Sequence, residues 1–291
     1  MDYFEMIQTV LDYIELNLKS KVALEQISDA ACFSPYHFHR IFKAMADESV
    51  VEYMRRRRLS EAAKKLIETK ERIIDIALEF QFETQESFTR SFKKVYKITP
   101  GRYRLNGAIL KEFERVKLNV NFLKNVKGVK AMEPKIEVKK EFKVVGMRGS
   151  TTLKNNVIPQ MWTNFFPRMA EIKNRINYDS SYGICECSDM DLPQFTDETP
   201  FNELVCVEVK NFNDIPAGMV SKIIPSQKYA VFTHRGPLDN LRQTYDYIYK
   251  TWLPSSGHEI ACKMDDFECY DARFKGVDNP GSEFDIYVPI K

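Results

Sequence analysis

The sequence predicts a multidomain fold: an all-α domain with two helix-turn-helix units, followed by an α+β domain of tandem βαββ repeats. Three observations predict it. In the first third of the chain, apolar residues recur every three or four positions, as they do in amphipathic helices. A pattern of short helix, turn and second helix occurs there twice. From Lys135 onward, short β-branched and aromatic runs alternate with helical patterns, in two sets of matching order.

These changes of texture divide the chain into an all-α domain at 1–106, a linker at 107–131 and an α+β domain at 132–291. In the first domain we expect helices at 3–18, at 24–31, from Pro35 after the N-cap Ser34, and at 50–68, 73–80 and 84–96. In the second domain we expect two units with the same order of elements. The first has a strand at 142–149, a helix at 158–176 and strands at 181–187 and 203–209. The second has a strand at 228–234, a helix at 238–253 and strands at 267–273 and 283–289. Two such units side by side form one sheet with helices on one face and a cleft between the halves.

The composition is that of a soluble globular protein. The chain has 291 residues, of which 44% are hydrophobic and 29% charged. No apolar run approaches the roughly 18 residues of a membrane-spanning helix, and the start lacks the basic residues of a signal peptide. Six cysteines without a Cys-x-x-Cys pair predict reduced structural thiols. We therefore expect a cytoplasmic protein.

The charge is distributed unevenly along the chain. Residues 36–104 hold 16 Lys or Arg against 10 Asp or Glu, whereas residues 132–291 hold 19 against 23. A basic region beside an acidic half indicates a polyanionic partner for one part of the chain. Solvated helix faces give similar numbers, so a solvated surface is the alternative interpretation of this charge distribution.

The helix-turn-helix pattern repeats with a fixed offset. Four residues, Phe38, Arg40, Phe42 and Lys43, recur 50 positions later as Phe88, Arg90, Phe92 and Lys93. Both predicted second helices therefore carry an arginine at the same place. The planar fork of arginine can span the O6 and N7 acceptors of guanine, and glutamine can pair with adenine.

The stretch "SPYHFHRIFK" (34–43) contains two histidines, which raises the possibility of a metal site. His37 and His39 are two positions apart, hence about 200° apart around a helix, and cannot share one metal ion. A solvated polar face is the remaining simple interpretation. The matching polar face of the second unit favours a surface that reads DNA, so we expect no metal site and no cofactor.

Residues 24–104 resemble the DNA-binding domain of the AraC/XylS family of bacterial transcription regulators. The resemblance is carried by "LEQISDAACFSPYHFHRIFK", the long connecting helix and "IIDIALEFQFETQESFTRSFKKVYKITPGRYR". It implies that a rigid helix spaces two recognition helices by about one turn of DNA, ~34 Å. The base-reading residues that it implies are Tyr36, His39 and Arg40 in the first unit and Gln85, Glu86, Ser87 and Arg90 in the second. We assign phosphate contacts to Lys43, Lys93, Lys94 and Arg102.

Two features of this region depart from a simple DNA-binding surface. The turns usually carry glycine, whereas Cys32 and Gln81 stand there, and positive φ at such a residue costs on the order of 1 kcal/mol. The run Arg55–Arg58 covers more than a full helical turn, so at most two of its side chains can face phosphate. The others are expected to be solvated or paired with Glu52 and Glu61.

The acidic half contains no His-Glu-x-x-His motif, Gly-rich phosphate loop or Gly-x-Ser-x-Gly elbow. His234 and His258 are expected to be structural. In the predicted strand "FECY" (267–270), Glu268 and Tyr270 point to one face. A lone glutamate in a strand ordinarily lies on a solvated face.

Residues 132–291 resemble the GyrI-like effector-binding domain in "VVGMRG", "IPQMW", "YGIC", "IPSQKYAVFTHRGPL", "WLPSSG", "FECY" and "FDIYVPI". The resemblance implies a small-molecule pocket between the two repeats, with Glu268 as its charged centre. The implied walls are Trp162, Tyr270 and Tyr182. A carboxylate among aromatic rings favours a lipophilic cation through direct charge and cation–π contacts.

Together, the two resemblances predict a DNA-binding transcription regulator with a ligand-sensing domain, and not an enzyme. The expected partners are double-stranded DNA, a small-molecule effector and RNA polymerase. Two alternatives stay open for the second domain. It could act as a hydrolase, with Glu268 and Tyr270 as acid and base, although no nucleophile is evident. It could also be a protein-binding module.

Overall fold

The computed structural model describes residues 3–20, 42–43, 48–107, 113–115, 132–152, 154–186, 198, 200–261 and 264–291. An N-terminal helical domain precedes a C-terminal domain with a curled antiparallel sheet and helices. The helices of the first domain are α1 (Tyr3–Leu16), α2 (Val50–Glu68), α3 (Ile73–Glu79), α4 (Gln85–Tyr96) and α5 (Pro100–Asn106). The first predicted helix-turn-helix unit lies outside the described residues, apart from the helical Phe42 and Lys43. In the described ranges, no helix is both long and apolar enough to cross a bilayer.

Helices α3 and α4 form the second predicted helix-turn-helix unit. Between them Gln81 has φ +64°, so the expected positive φ at this non-glycine turn residue is confirmed. The side-chain amide of Gln81 donates a hydrogen bond of 2.6 Å to the carbonyl of Lys19, just after α1. This bond offsets part of the backbone cost and ties the turn to α1. Cys32, the corresponding residue of the first unit, lies outside the described residues.

The core of this unit is aromatic. Phe88 and Phe92 of α4 are fully buried, and the ring of Phe92 contacts that of Tyr103 in α5 at 5.2 Å between centroids. Leu59 and Leu66 of α2 belong to the same apolar cluster. Because α4 buries this face, its opposite face is directed to solvent.

The arginine run of α2 is mostly committed to structure. Arg57 forms ion pairs with Glu15 of α1 at 2.8 Å and with Glu61 at 3.0 Å. Arg58 donates to the carbonyl of Leu18 at 2.7 Å, at the end of α1. The expected pairing with Glu61 is therefore confirmed, and the larger role of the run is to hold α1 against α2.

The second domain contains eight strands in one antiparallel sheet. They are β1 (Lys135–Lys139), β2 (Phe142–Thr151), β3 (Ser181–Cys185), β4 (Phe201–Val209), β5 (Val220–Ile224), β6 (Gln227–Arg235), β7 (Asp266–Tyr270) and β8 (Glu283–Ile290). Their order across the sheet is β1-β6-β8-β7-β3-β4-β2-β5. Six of these strands match the expected ones, with shifted ends. The two edge strands, β1 and β5, were not expected.

The helices of the sheet domain are shorter than the expected ones. Helix α6 (Ile158–Phe165) gives way to a 3₁₀ turn, Phe166–Glu171, because Pro167 lacks the N–H that an α-helix requires. In the second half, α7 (Leu241–Tyr247) and α8 (Leu253–Ser256) are joined by a π-helical turn, Ile248–Trp252. A π turn inside an α-helix is rare and frequently marks a functional site.

Helix α1 packs against both domains. Its residues Val10, Leu11 and Ile14 are buried in an apolar cluster that also contains Tyr249 and Leu253 of the sheet domain. Helix α8 lies directly against α1. The N-terminal helix is therefore a shared structural element of the two domains.

A buried histidine gives the sheet domain a pH-dependent stability. His234 is 1% exposed, and its Nδ1 lies 2.8 Å from the Thr244 hydroxyl. Burial lowers the pKa of His234. Its contribution to stability is therefore present above the unfolded pKa of about 6.5 and is lost as pH falls through the folded value.

We expect the free energy of unfolding of the wild-type protein to fall as pH drops below about 6.5, with a contribution from His234 of at most about 1.4 kcal/mol per pH unit. His234→Gln should lose this component while losing some stability at pH 7.5. Urea unfolding of both proteins at several pH values measures the difference. Identical slopes in the two proteins would contradict the role assigned to His234.

Candidate nucleic-acid interface and ligand cleft

The exposed face of α4 is polar and basic. An open concave surface of about 770 Å³ is lined by Gln85, Glu86, Thr89, Arg90, Lys93 and Lys94. Arg90 and Lys93 are exposed and lie on the side of α4 opposite the buried Phe88 and Phe92. The structure thus brings five of the six predicted DNA-contacting residues of this helix onto one surface.

Ser87, the sixth predicted residue, is placed differently. Its backbone N–H donates to the Thr84 hydroxyl at 3.0 Å, and its own hydroxyl donates to the Thr84 carbonyl at 3.0 Å. These bonds form the N-terminal cap of α4. Ser87 does not line the concave surface, because its side chain is directed back to the start of the helix.

Of the predicted DNA-contacting residues of the first unit, the structure describes only Lys43. Tyr36, His39 and Arg40 lie outside the described residues. Lys43 is helical and half-buried. The relation between the two predicted reading helices therefore stays a prediction.

The second candidate site is a cleft on the helix-bearing face of the sheet. Strands β3, β4 and β7 form its floor, and residues at the starts of α6 and α7 flank it. Its volume is about 170 Å³, and it is lined by Thr152, Asn156, Ile158, Gly183, Cys185, Phe201, Glu203, Leu241, Tyr245, Asp266, Phe267 and Glu268. The expected cleft between the two halves of the sheet is thus present.

Glu268 lines this cleft and accepts hydrogen bonds from two tyrosine hydroxyls. Tyr245 of α7 donates to one carboxylate oxygen, Oε1, at 2.7 Å. Tyr270, on the same strand as Glu268, donates to Oε2 at 2.7 Å. Burial and the nearby Glu268 carboxylate raise the pKa of Tyr270, which keeps its hydroxyl protonated as a donor. The two bonds hold the carboxylate in one orientation.

An aromatic wall and a glycine complete the site. The ring of Trp162 in α6 meets that of Tyr270 edge-on, with centroids 5.3 Å apart. A Cβ atom on Gly183 would lie 3.1 Å from Glu203 Oε1, 3.5 Å from Trp162 Cζ2 and 3.6 Å from Glu268 Oε2. The indole and the two carboxylates therefore converge above the backbone of Gly183, where any side chain would occupy the cleft.

The predicted wall residue Tyr182 does not line the cleft. It pairs with Cys269 across β3 and β7, and its side chain lies on the opposite face, 5.4 Å from the ring of Phe142 and 5.9 Å from that of Phe267. Residues alternate in direction along a strand, so Gly183 and Cys185 face the cleft while Tyr182 does not. The expectation for Tyr182 is corrected by this register.

Three residues of the cleft were missed by sequence reasoning. Glu203 and Asp266 are 4% and 2% exposed and add carboxyl groups near Glu268. Strand alternation could have placed Glu203 with Gly183 only if the register of β3 and β4 had been known. Tyr245 was not predicted, because its contact with Glu268 spans 23 positions in sequence.

The chemistry of the cleft is anionic and aromatic. It offers carboxylates at several points, an indole edge and tyrosine hydroxyls, which suits a cation with apolar groups. Among the described residues, no group of three or more His, Cys, Asp or Glu side chains has the arrangement of a metal site.

Comparisons with known families cover both domains. Residues 135–290 match the family described as "Integron-associated effector binding protein", and residues 27–106 match the family described as "Helix-turn-helix domain". Both matches agree with the resemblances carried by the sequence motifs.

Three relatives are transcription regulators or resistance proteins by name. "Uncharacterized HTH-type transcriptional regulator YbfP" of Bacillus subtilis is 44% identical over 128 residues, which are 44% of this chain and 42% of that protein. "Transcriptional regulator BrlR" of Pseudomonas aeruginosa is 36% identical over 162 residues, 56% of this chain and 57% of that one. "Multiple antibiotic resistance protein MarA" of Escherichia coli is 38% identical over 99 residues, which are 34% of this chain and 78% of that protein. The chain spans about half the length of the first two relatives.

Two solved structures are similar to part of this chain. SAV2435, bound to tetraphenylphosphonium, has a TM-score of 0.45 and 16% identity, and covers 55% of this chain and 94% of its own. The integron cassette protein VCH_CASS2 of Vibrio cholerae has a TM-score of 0.37 and 17% identity, and the match covers 55% of this chain and 97% of that protein.

Proposed function

Because this chain belongs to the family of integron-associated effector-binding proteins and carries a helix-turn-helix domain, we propose that it is a sequence-specific DNA-binding transcription regulator that senses a lipophilic cation. The observation that carries the sensing part is Glu268, held by two tyrosine hydroxyls beside Trp162 in one cleft. The DNA-binding part is supported by the exposed face of α4.

On DNA, α4 enters the major groove with Arg90 as its principal base contact. Gln85 and Glu86 lie on the same concave surface and contact neighbouring bases, while Lys93 and Lys94 contact phosphates. The first unit contributes Tyr36, His39, Arg40 and Lys43 in the same way. Helix α2 separates the two units, so that both read one side of the duplex.

Arg90→Ala tests the reading role. We expect it to weaken binding to a duplex selected from a random pool by about 1–3 kcal/mol, with specificity relaxed at one base pair. Lys94→Ala is the matched control, because loss of a phosphate contact weakens binding to selected and random DNA alike. Fluorescence anisotropy at several salt concentrations measures both. An equal loss for Arg90→Ala on the two kinds of DNA would contradict base reading.

In the sheet domain, the cleft binds a cation through charge and aromatic contact. Glu268, Glu203 and Asp266 provide a negative potential in a partly shielded site, where Coulomb attraction is stronger than in water. Trp162 and Tyr270 offer ring surfaces to the apolar groups of the ligand. A cation with delocalised or buried charge fits best, because its own desolvation costs little.

Tryptophan fluorescence gives a direct test of ligand binding. The chain has two tryptophans, and the second, Trp252, packs on Phe232 at 4.9 Å. In a Trp252→Phe variant, titration with tetraphenylphosphonium reports on Trp162, and we expect saturable quenching. The neutral triphenylphosphine oxide is the control and should quench far less. No saturable response to the cation would contradict the proposed ligand class.

Finer parts of the proposal concern organisation and partners. The strand order places β2, β4 and β3 as a counterpart of β6, β8 and β7, which supports a tandem βαββ duplication. The repeated motif at 38–43 and 88–93 supports two helix-turn-helix units. We also propose the domain boundaries 1–106 and 132–291, a cytoplasmic location, RNA polymerase as protein partner, and regulation without enzymatic turnover.

A further inference from the structure

We propose that α1 transmits the state of the ligand cleft to the DNA-reading helices, with Tyr245 and the π turn Ile248–Trp252 as the moving parts. This inference rests on the proposed function of the cleft and adds how occupancy changes DNA affinity. The route has four steps, each a contact between described residues.

The first step is a steric and electrostatic conflict in the cleft. Its volume of about 170 Å³ is below the roughly 300–1,000 Å³ of sites that hold drug-sized ligands. A lipophilic cation at Glu268 therefore widens the cleft and takes over the oxygen that Tyr245 contacts at 2.7 Å. Tyr270 lies on the central strand β7 and is held by the sheet. Tyr245 lies on a helix and is the wall that moves.

The second step is along the helix that carries Tyr245. The rings of Tyr245 and Tyr249 lie parallel, with an interplanar angle of 5° and centroids 6.3 Å apart. Tyr249 belongs to the π turn, whose hydrogen bonds span five residues and not four. Tightening this turn to α geometry rotates and shifts the preceding helix without unfolding it. The turn thus supplies the two-state element that coupling between sites requires.

The third step crosses between the domains. Tyr249 and Leu253, each 1% exposed, share a buried cluster with Val10, Leu11 and Ile14 of α1. Close packing transmits displacement, because such a core has little free volume to absorb it. A shift of the π turn and α8 therefore displaces α1.

The fourth step connects α1 to the DNA-reading helices through α2. Glu15 of α1 accepts hydrogen bonds from the Tyr53 hydroxyl at 2.6 Å and from Arg57 Nε at 2.9 Å. Arg58 and Gln81 add bonds to the carbonyls of Leu18 and Lys19. Since Gln81 is the turn residue before α4, displacement of α1 reaches both the connecting helix and the second reading helix.

The test measures DNA affinity of the full chain with and without saturating tetraphenylphosphonium, on a duplex selected from a random pool. For the wild-type protein we expect at least a fivefold change in Kd, within the usual range of allosteric coupling. Glu15→Gln removes the charge that ties α1 to α2, and Glu15 is not among the residues that line the cleft. It should bind the cation as the wild-type protein does and show less than a twofold effect of the cation on DNA.

Tyr245→Phe tests the same route from the cleft end, so the result does not depend on one variant folding. At saturating cation, whatever its new affinity, we expect less than a twofold effect on DNA. Tyr287→Phe is the matched control, since its ring lies on the opposite face of the sheet against Phe267, and it should retain the full wild-type effect. Hydrogen exchange should also change in segments 3–18 and 241–256 when the cation binds.

The outcomes separate the two proposals. If the wild-type chain does not bind the cation, the proposed ligand class and this inference both fail. If it binds the cation with no effect on DNA affinity, the inference alone is overturned. It is also overturned if Tyr245→Phe, or a folded Glu15→Gln variant, keeps the wild-type effect.

Discussion

Arg57→Ala should destabilise the helical domain by about 3–5 kcal/mol, the usual cost of breaking a buried ion pair by removing one partner. The Arg57 side chain is 9% exposed and contacts Glu15 at 2.8 Å and Glu61 at 3.0 Å. Its removal leaves the Glu15 carboxylate, 15% exposed, without the guanidinium that faces it. The cost arises from this carboxylate more than from the lost attraction.

The same pair gives a pH signature. Burial raises the pKa of Glu15, but hydrogen bonds from Arg57 and Tyr53 outweigh burial, and the pKa lies below its ordinary value. A lowered folded pKa stabilises the protein above the unfolded value of about 4.3, and this stability is lost as pH falls through the folded value. Arg57→Ala should lose most of this acid sensitivity together with its stability at neutral pH.

Urea unfolding followed by far-UV circular dichroism measures both effects in the full chain. Arg55→Ala is the matched control, because Arg55 belongs to the same helix and is exposed; its effect should stay within about 0.5 kcal/mol. A double-mutant cycle with Glu15→Gln isolates the interaction between the two side chains. If Arg57→Ala costs no more than Arg55→Ala, the ion pair between Arg57 and Glu15 does not stabilise the packing of α1 on α2.

Glu268→Gln should lower the affinity for tetraphenylphosphonium by about 10–100-fold. The substitution keeps the shape of the side chain and removes one negative charge from a partly shielded cleft, where an ion pair is worth more than in water. The two tyrosines that donate to Glu268 at 2.7 Å lose a charged acceptor, so their orientation weakens as well.

Fluorescence titration in the Trp252→Phe background measures this loss. Glu208→Gln is the control: Glu208 is on β4 with Glu203 but faces the opposite side, where Tyr182 contacts it at 3.4 Å. It should leave cation affinity within about twofold. Equal affinity in Glu268→Gln and the wild-type protein would remove the electrostatic explanation and leave only apolar contact with Trp162.

Much of the helical domain was predictable because its signals are local. Helix α2 was expected at 50–68, where it is observed, and the turn at Gln81 has the positive φ expected at its position. Only one of the two ion-pair partners of Arg57 was predictable. Its partner Glu61 is one helical turn away, whereas Glu15 is 42 positions away and is set by the packing of α1.

In the sheet domain, the edge strands and the direction of one side chain could not be predicted from local sequence. Strands β1 and β5 are short edge strands, and "KIEVK" mixes charges with apolar residues, so their pairing depends on partners distant in sequence. The pair Glu268 and Tyr270 was placed by alternation within a single strand. Tyr182 was misplaced because its direction depends on the register between β3 and β7.

The strand order also has a consequence for folding. Strand β1 leads into β2 along the chain but hydrogen-bonds to β6, and β5 leads into β6 but hydrogen-bonds to β2. The strand that precedes each half in sequence is thus the edge strand of the other half of the sheet. Because neither half contains all the strands of its own part of the sheet, we expect the two halves to fold and unfold in a single cooperative transition. The floor of the cleft, which contains strands of both halves, should therefore form only when the whole sheet forms.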